Sequence, residues 1–168
     1  MFESYTEKLL QKKIQEKIDE GISGELKSIM ISFIQNGKSG SDRYKIFITA
    51  EEIRENNVDI DISSVSGEFF PQGKYRYYGK VSDSVLRFSD YLKVIEDNNI
   101  VRWSYYHKTA DDYNNCEWFQ IALGFTEGNR INAMGTEHPE GYDKFRSDTL
   151  HFMAELVEEL KKLPDNNA

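Results

Sequence analysis

The sequence has one cysteine, three prolines and three histidines, and no apolar run approaching the ~18 residues that a membrane-spanning helix needs. The single cysteine, Cys116, excludes an internal disulfide and any zinc site built on several thiolates. Such a chain suits a reducing compartment. With no basic segment leading into an apolar one at its start, we expect a cytoplasmic protein without membrane association. The few histidines limit chemistry further. His107, His138 and His151 form neither a His-x-x-x-His nor a His-x-Glu pair, so no two ligands share a helical or strand face. We therefore expect no metal and no cofactor. Basic charge is also in deficit: 29 acidic residues against 21 basic give a formal charge of −8, and the basic residues are dispersed along the chain. A nucleic-acid reader gains affinity by neutralising phosphates, so this balance argues against nucleic acid as a partner.

What is present suffices for a core. Hydrophobic residues make up 39% of the chain and aromatic ones 13%, and a 168-residue globule buries roughly 70% of the surface its unfolded chain exposes. We expect one domain over residues 1–164 and a disordered tail over 165–168. Phe2, Tyr5, Leu9, Leu10, Ile14 and Ile18 recur at helical spacing, predicting an amphipathic N-terminal helix that packs on the sheet and ends near Gly21 or Gly24. Leu26 to Ile34 is apolar on both alternations, as in a central strand, and Tyr44, Ile46 and Ile48 complete a hairpin with it. Val58, Ile60 and Ile62 alternate in a third strand, and Lys74 to Tyr78 makes a fourth. Ser82 is placed to cap a middle helix from Asp83, with Val85, Phe88, Leu92 and Ile95 on its buried stripe. Ile100 to Tyr106 then reads as a short strand holding Trp103. Trp118 to Phe125 and Arg130 to Met134 form a second hairpin around Gly128, and Phe145 to Leu163 is a long closing helix that stops before Pro164.

Four groups of residues invite a chemical reading. Gly37-Lys38-Ser39 lacks the earlier glycine of a phosphate-binding loop, where Ser32 stands, and leads into a strand rather than a helix. Asp59 and Asp61 lack the glycine and later glutamate of a calcium loop and read as the solvent side of a strand. Glu137, His138 and Glu140 flank Pro139 and read as the approach to a helix rather than a metal site. Cys116 as nucleophile with His107 or His138 as base, oriented by Asp111 or Asp112, would need a helix N-terminus or nearby base to favour the thiolate. Cys116 stands instead at the start of a strand.

The run Ile100-Val101-Arg102-Trp103, then Trp118 to Phe125, Gly128, Ile131 to Gly135 and Pro139-Glu140-Gly141-Tyr142 before a helix, resembles the tail of a group of uncharacterised bacterial α+β proteins. The resemblance covers residues 83–163. It implies an α+β fold and a bacterial source and brings no catalytic residues.

These readings lead to an α+β domain, with one antiparallel sheet of about five to seven strands and an N-terminal, a middle and a long C-terminal helix packed on it. For function, we expect a non-catalytic protein-interaction module of inhibitor or immunity type. Its contacts would come from Tyr75, Tyr77, Tyr78, Tyr105, Tyr106 and Tyr113 with Asp111 and Asp112, gathered as an aromatic patch in an acidic surface that suits a basic protein partner. The alternative is a small-molecule-binding or hydrolytic protein with a cleft near Cys116, His107 and His138.

Overall fold

A computed structural model describes residues 4–20, 24–37, 40–50, 55–83, 90–110, 116–127 and 130–164. Among them the chain forms β1 (Leu26–Gly37), β2 (Gly40–Ala50), β3 (Glu55–Ser63), β4 (Lys74–Ser82), β5 (Tyr106–Lys108), β6 (Trp118–Phe125) and β7 (Arg130–Gly135). The helices are α1 (Tyr5–Glu20), α2 (Asp90–Asp97) and α3 (Tyr142–Lys161), with a 3-10 helix at Ile100–Trp103. The architecture is α+β: one sheet in the order β4-β3-β2-β1-β6-β7-β5, antiparallel except where β5 joins β7 in parallel. The strand that is apolar on both alternations, β1, is its centre.

Alternation divides the sheet into two faces. Ile29, Ile31 and Phe33 of β1, Tyr44, Ile46 and Ile48 of β2, and Phe119, Ile121 and Leu123 of β6 lie on one face and are at most 2% exposed. That face receives α3, which crosses the strands. Tyr142 and Phe145 at its start meet Phe33 edge-on, and Lys161 at its end stands over Tyr75 of β4. Twenty residues of helix span about 30 Å, enough to cross the sheet from β6 to β4. Tyr91 of α2 is fully buried behind α3, its hydroxyl 2.7 Å from Thr149 Oγ1. On the other face, β2 and β4 expose Phe47 (45%) and Tyr78 (70%), and no helix covers them among the described residues.

Three expectations change. The N-terminal helix forms, but its stripe does not pack on the sheet: α1 lies beside the 3-10 helix, and Tyr5, Leu9 and Leu10 are exposed. Ser82 does not cap a helix at Asp83: it is paired with Glu55 as the last residue of β4, and Asp83 lies in a turn; the middle helix is described over Asp90–Asp97, and residues 84–89, with Val85 and Phe88, lie outside the described residues. Ile100 to Trp103 is a 3-10 helix, not a strand. Asn99 turns left-handed at φ 47°, and Ile100, Val101 and Trp103 are all buried, a one-sided helical spacing rather than a strand's alternation. The short strand that follows, β5, is pressed against β7. A Cβ on Gly135 (φ +146°) would meet Lys108 O at 1.9 Å, so only glycine permits this approach.

Phe145 is fully buried, with Phe33 at 6.2 Å and Trp103 at 5.3 Å between ring centroids. Phe145→Ala should cost about 3–5 kcal/mol in urea denaturation, and a loss under about 1 kcal/mol would mean that α3 is not the main cover of the sheet.

Candidate functional site

Tyrosines on neighbouring positions of one strand must face opposite ways. Accordingly Tyr77 (8% exposed) joins the core and Tyr75 is half-buried beneath Lys161, while Tyr78 alone of the three points from the open face. Tyr105 and Tyr106 stand at the opposite edge, six strand spacings or roughly 29 Å away. They also diverge. Tyr106 turns to the helix side, its ring 6.1 Å from Phe119 and its hydroxyl donating to Glu137 O at 2.6 Å. Tyr105, held left-handed at φ 67°, lines the open face. The five described tyrosines therefore do not form one patch. Tyr113, Asp111 and Asp112 lie outside the described residues.

The alternative cleft also separates. His107 pairs with Met134 and faces the open side with Gln120, whereas His138 lies on the helix side, stacked on Tyr142 at 3.9 Å. The Nε2–H of His138 donates to Glu117 O at 2.8 Å, since a carbonyl only accepts. Among the described residues, no three His, Cys, Asp or Glu side chains converge as ligands for one cation, Glu137, His138 and Glu140 included.

The open face does provide concave surface. Residues in register across it form the row Tyr78, Asp59, Phe47, Met30, Ala122 and Asn132, from β4 to β7. The small side chains of Ala122 and Ser28 and the bare Gly124 leave a groove of about 250 Å³ bounded by Met30, Phe47 and Arg130. A second groove of about 250 Å³ follows toward β5, between Tyr105, His107, Gln120 and Met134. Both grooves include Asn132, so they adjoin. Lys27 and Arg130 line the first, and among the described residues no carboxylate lines either. Farther across, Asp61 is 3.1 Å from Arg43, and Asp59 pairs with Arg76, so both of these carboxylates are occupied by arginines. Sequence inspection missed this site. Its residues come from separate strands, and its floor is made of small side chains that announce nothing singly.

On the helix side lies a charged cluster that was equally hidden. Glu117, 7% exposed, accepts Arg146 Nε on both carboxylate oxygens at 2.9 Å, and the Tyr142 hydroxyl donates to it. Burial, with the adjacent Glu117 carboxylate, pushes the Tyr142 phenol far above its usual range. Burial alone would lower the Arg146 pKa; Glu117 more than offsets it, and the guanidinium is held more firmly protonated. Every strong polar group here is satisfied by a neighbour, which makes the cluster a brace between β6 and α3 rather than a reactive centre.

No protein-family model matches the chain, and a search of curated proteins finds no significant relative. The open face must be interpreted on its own geometry.

Arg146→Met should destabilise the fold by about 3–5 kcal/mol by leaving Glu117 buried without its partner, and adding Glu117→Gln should restore most of that in chemical denaturation. Tyr142 binds its proton more tightly when folded. Its stabilisation is complete below the ordinary tyrosine value of 10.0 and declines as pH rises past it, where only the unfolded chain ionises. Tyr142→Phe should make unfolding free energy fall less steeply above about pH 10. An unchanged slope would count against the buried phenol.

Proposed function

We propose that the protein is a non-catalytic interaction module that docks a protein partner on the open face of its sheet. The observation that carries this reading is the pair of adjoining grooves, bordered by Phe47, Met30, Tyr105 and Met134, the first of them lined by Lys27 and Arg130 and, among the described residues, neither by a carboxylate. Tyrosine, phenylalanine, methionine and arginine are the residues that distinguish interface surface from the rest of a protein. Tyr78 continues the same row at the far edge. Of the tyrosines selected from sequence, Tyr78 and Tyr105 thus keep a contact role, whereas Tyr75, Tyr77 and Tyr106 belong to the helix side.

Charge refines the partner. The total of −8 pointed to a basic one, yet the charged groups lining the first groove, Lys27 and Arg130, are basic, which favours a partner segment that carries acidic residues beside apolar anchors. Single-stranded nucleic acid fits less well. Lys27 and Arg130 alone do not track a phosphate backbone, and Asp59 and Asp61 stand farther along the face. An inhibitor-like role in a bacterial cytoplasm is the narrower form of this proposal, supported by the absence of a recognisable catalytic set and by the single cysteine.

Ala122→Trp fills the central groove from a half-buried position on the open face and leaves the core side untouched. In paired captures from bacterial lysate treated with nuclease, a protein retained by the wild-type chain and by a Glu155→Ala control should be lost with Ala122→Trp. Equal retention by all three, or binding that disappears with nuclease, would rule this surface out as a protein-docking face.

A further inference from the structure

A cavity of about 380 Å³, larger than either groove, lies on the helix side at the β4 edge, between the loop 64–73 and the C-terminal half of α3. Its volume falls within the roughly 300–1,000 Å³ of small-molecule sites. Phe69, Phe70, Pro71, Tyr75, Ala154 and Val157 supply apolar wall. Polar groups gather on the rim: Lys161 Nζ is 2.7 Å from Gln72 Oε1 and 3.4 Å from Glu158 Oε1, and Lys74 also lines the space. Lys161 is the ammonium that these contacts place at the rim, with the neutral Gln72 as its nearer acceptor and Glu158 the more distant one.

The loop that walls the cavity is fixed in place. Ser64 N donates to Gly73 O at 2.5 Å, the Ser64 hydroxyl meets that of Tyr44 at 3.0 Å, and Arg146 reaches Glu68 at 3.7 Å. Within it, Phe70 N donates to Glu68 O at 2.7 Å across Phe69, whose φ is +65°. A bulky residue in the left-handed region is a true outlier, and such strain persists only where surrounding contacts enforce it. The strained turn places the Phe69 and Phe70 side chains along the cavity wall, with Phe69 edge-on to His151 at 4.9 Å and Phe70 packed on Tyr44.

We propose that this cavity binds a small monocarboxylate with an aromatic or short aliphatic body, its apolar part against Phe70, Ala154 and Val157 and its carboxylate at Lys161. The walls offer hydrophobic contact and the rim an ammonium whose nearer acceptor, Gln72, is neutral. A dianion would oppose Glu158, and a neutral molecule would leave Lys161 no better paired than before. Lys161 can exchange its neutral acceptor, Gln72, for the ligand. This site is independent of the open sheet face, which lies on the other side of the sheet.

The test uses 4-phenylbutyrate and, as its neutral counterpart, 4-phenylbutan-1-ol, titrated calorimetrically into the full chain. The acid should bind about tenfold more tightly than the alcohol, since a charge-assisted contact is lost with the carboxylate. Lys161→Met should weaken the acid about tenfold while changing the alcohol by less than about twofold. Amide NMR shifts on the unmodified chain should centre on Gly73, Ala154 and Val157, which keeps the test independent of how any variant folds. Equal affinity for acid and alcohol, shifts centred elsewhere, or no shift at about 5 mM probe would overturn the proposal.

Discussion

The contact between Glu117 and Arg146 is the constraint on which the arrangement of this protein depends. A carboxylate buried at the start of β6 is tolerable only with a charge partner and with its remaining lone pairs occupied. Arg146 and Tyr142, one helical turn apart on α3, supply both, so the start of the helix is fixed against the sheet at one position. Arg146 then continues across the rings of Phe33 and Tyr44 toward Glu68, linking β6, β1, β2 and the loop 64–73 through one side chain. Gly141 eases the turn into α3: at φ +86° any side chain is strained, and a Cβ would also displace the Arg102 guanidinium, whose Nη2 lies 2.6 Å from that position.

With α3 fixed across one face, the two sides of the sheet have different fates. The helix side takes the apolar alternation of every central strand and becomes the core. The other keeps the second alternation, in which Met30 and Phe47 sit among arginines, aspartates and small residues. A sheet with one face closed and one open is a common outcome of antiparallel pairing, but concave ground on the open side is not automatic. Here it arises because Ala122 and Gly124 of β6 and Ser28 of β1 are small beside Met30, Phe47 and Arg130. The cavity at the β4 edge has another origin, in a loop whose strained turn stacks aromatic residues beside the end of α3.

Much of the architecture was legible in the chain. Strict alternation in Val58 to Ile62 and Phe119 to Phe125, and the helical repeat from Phe145 onward, follow from periods that backbone geometry imposes whatever the surroundings. Short apolar runs were not legible in this way. Ile100 to Trp103 satisfies both a strand and a helical turn, and the burial of all three apolar residues decided for the turn. The stripe on α1 signalled a helix correctly but not its neighbour, because periodicity identifies a face and not what covers it.

The same distinction governs the functional reading. Composition and charge by themselves determined that the chain folds without disulfides, that its core rests on alternating strands and one long helix, and that its histidines form no ligand pair at recognised spacing. These are local properties or sums over residues. The tertiary structure alone decided which tyrosines face outward, that His107 and His138 lie on opposite sides of the sheet, and that a chain of net charge −8 presents an open face with a groove lined by Lys27 and Arg130. Each depends on strand order and register, which join residues as distant in sequence as Phe47 and Ala122, and no local pattern encodes that pairing.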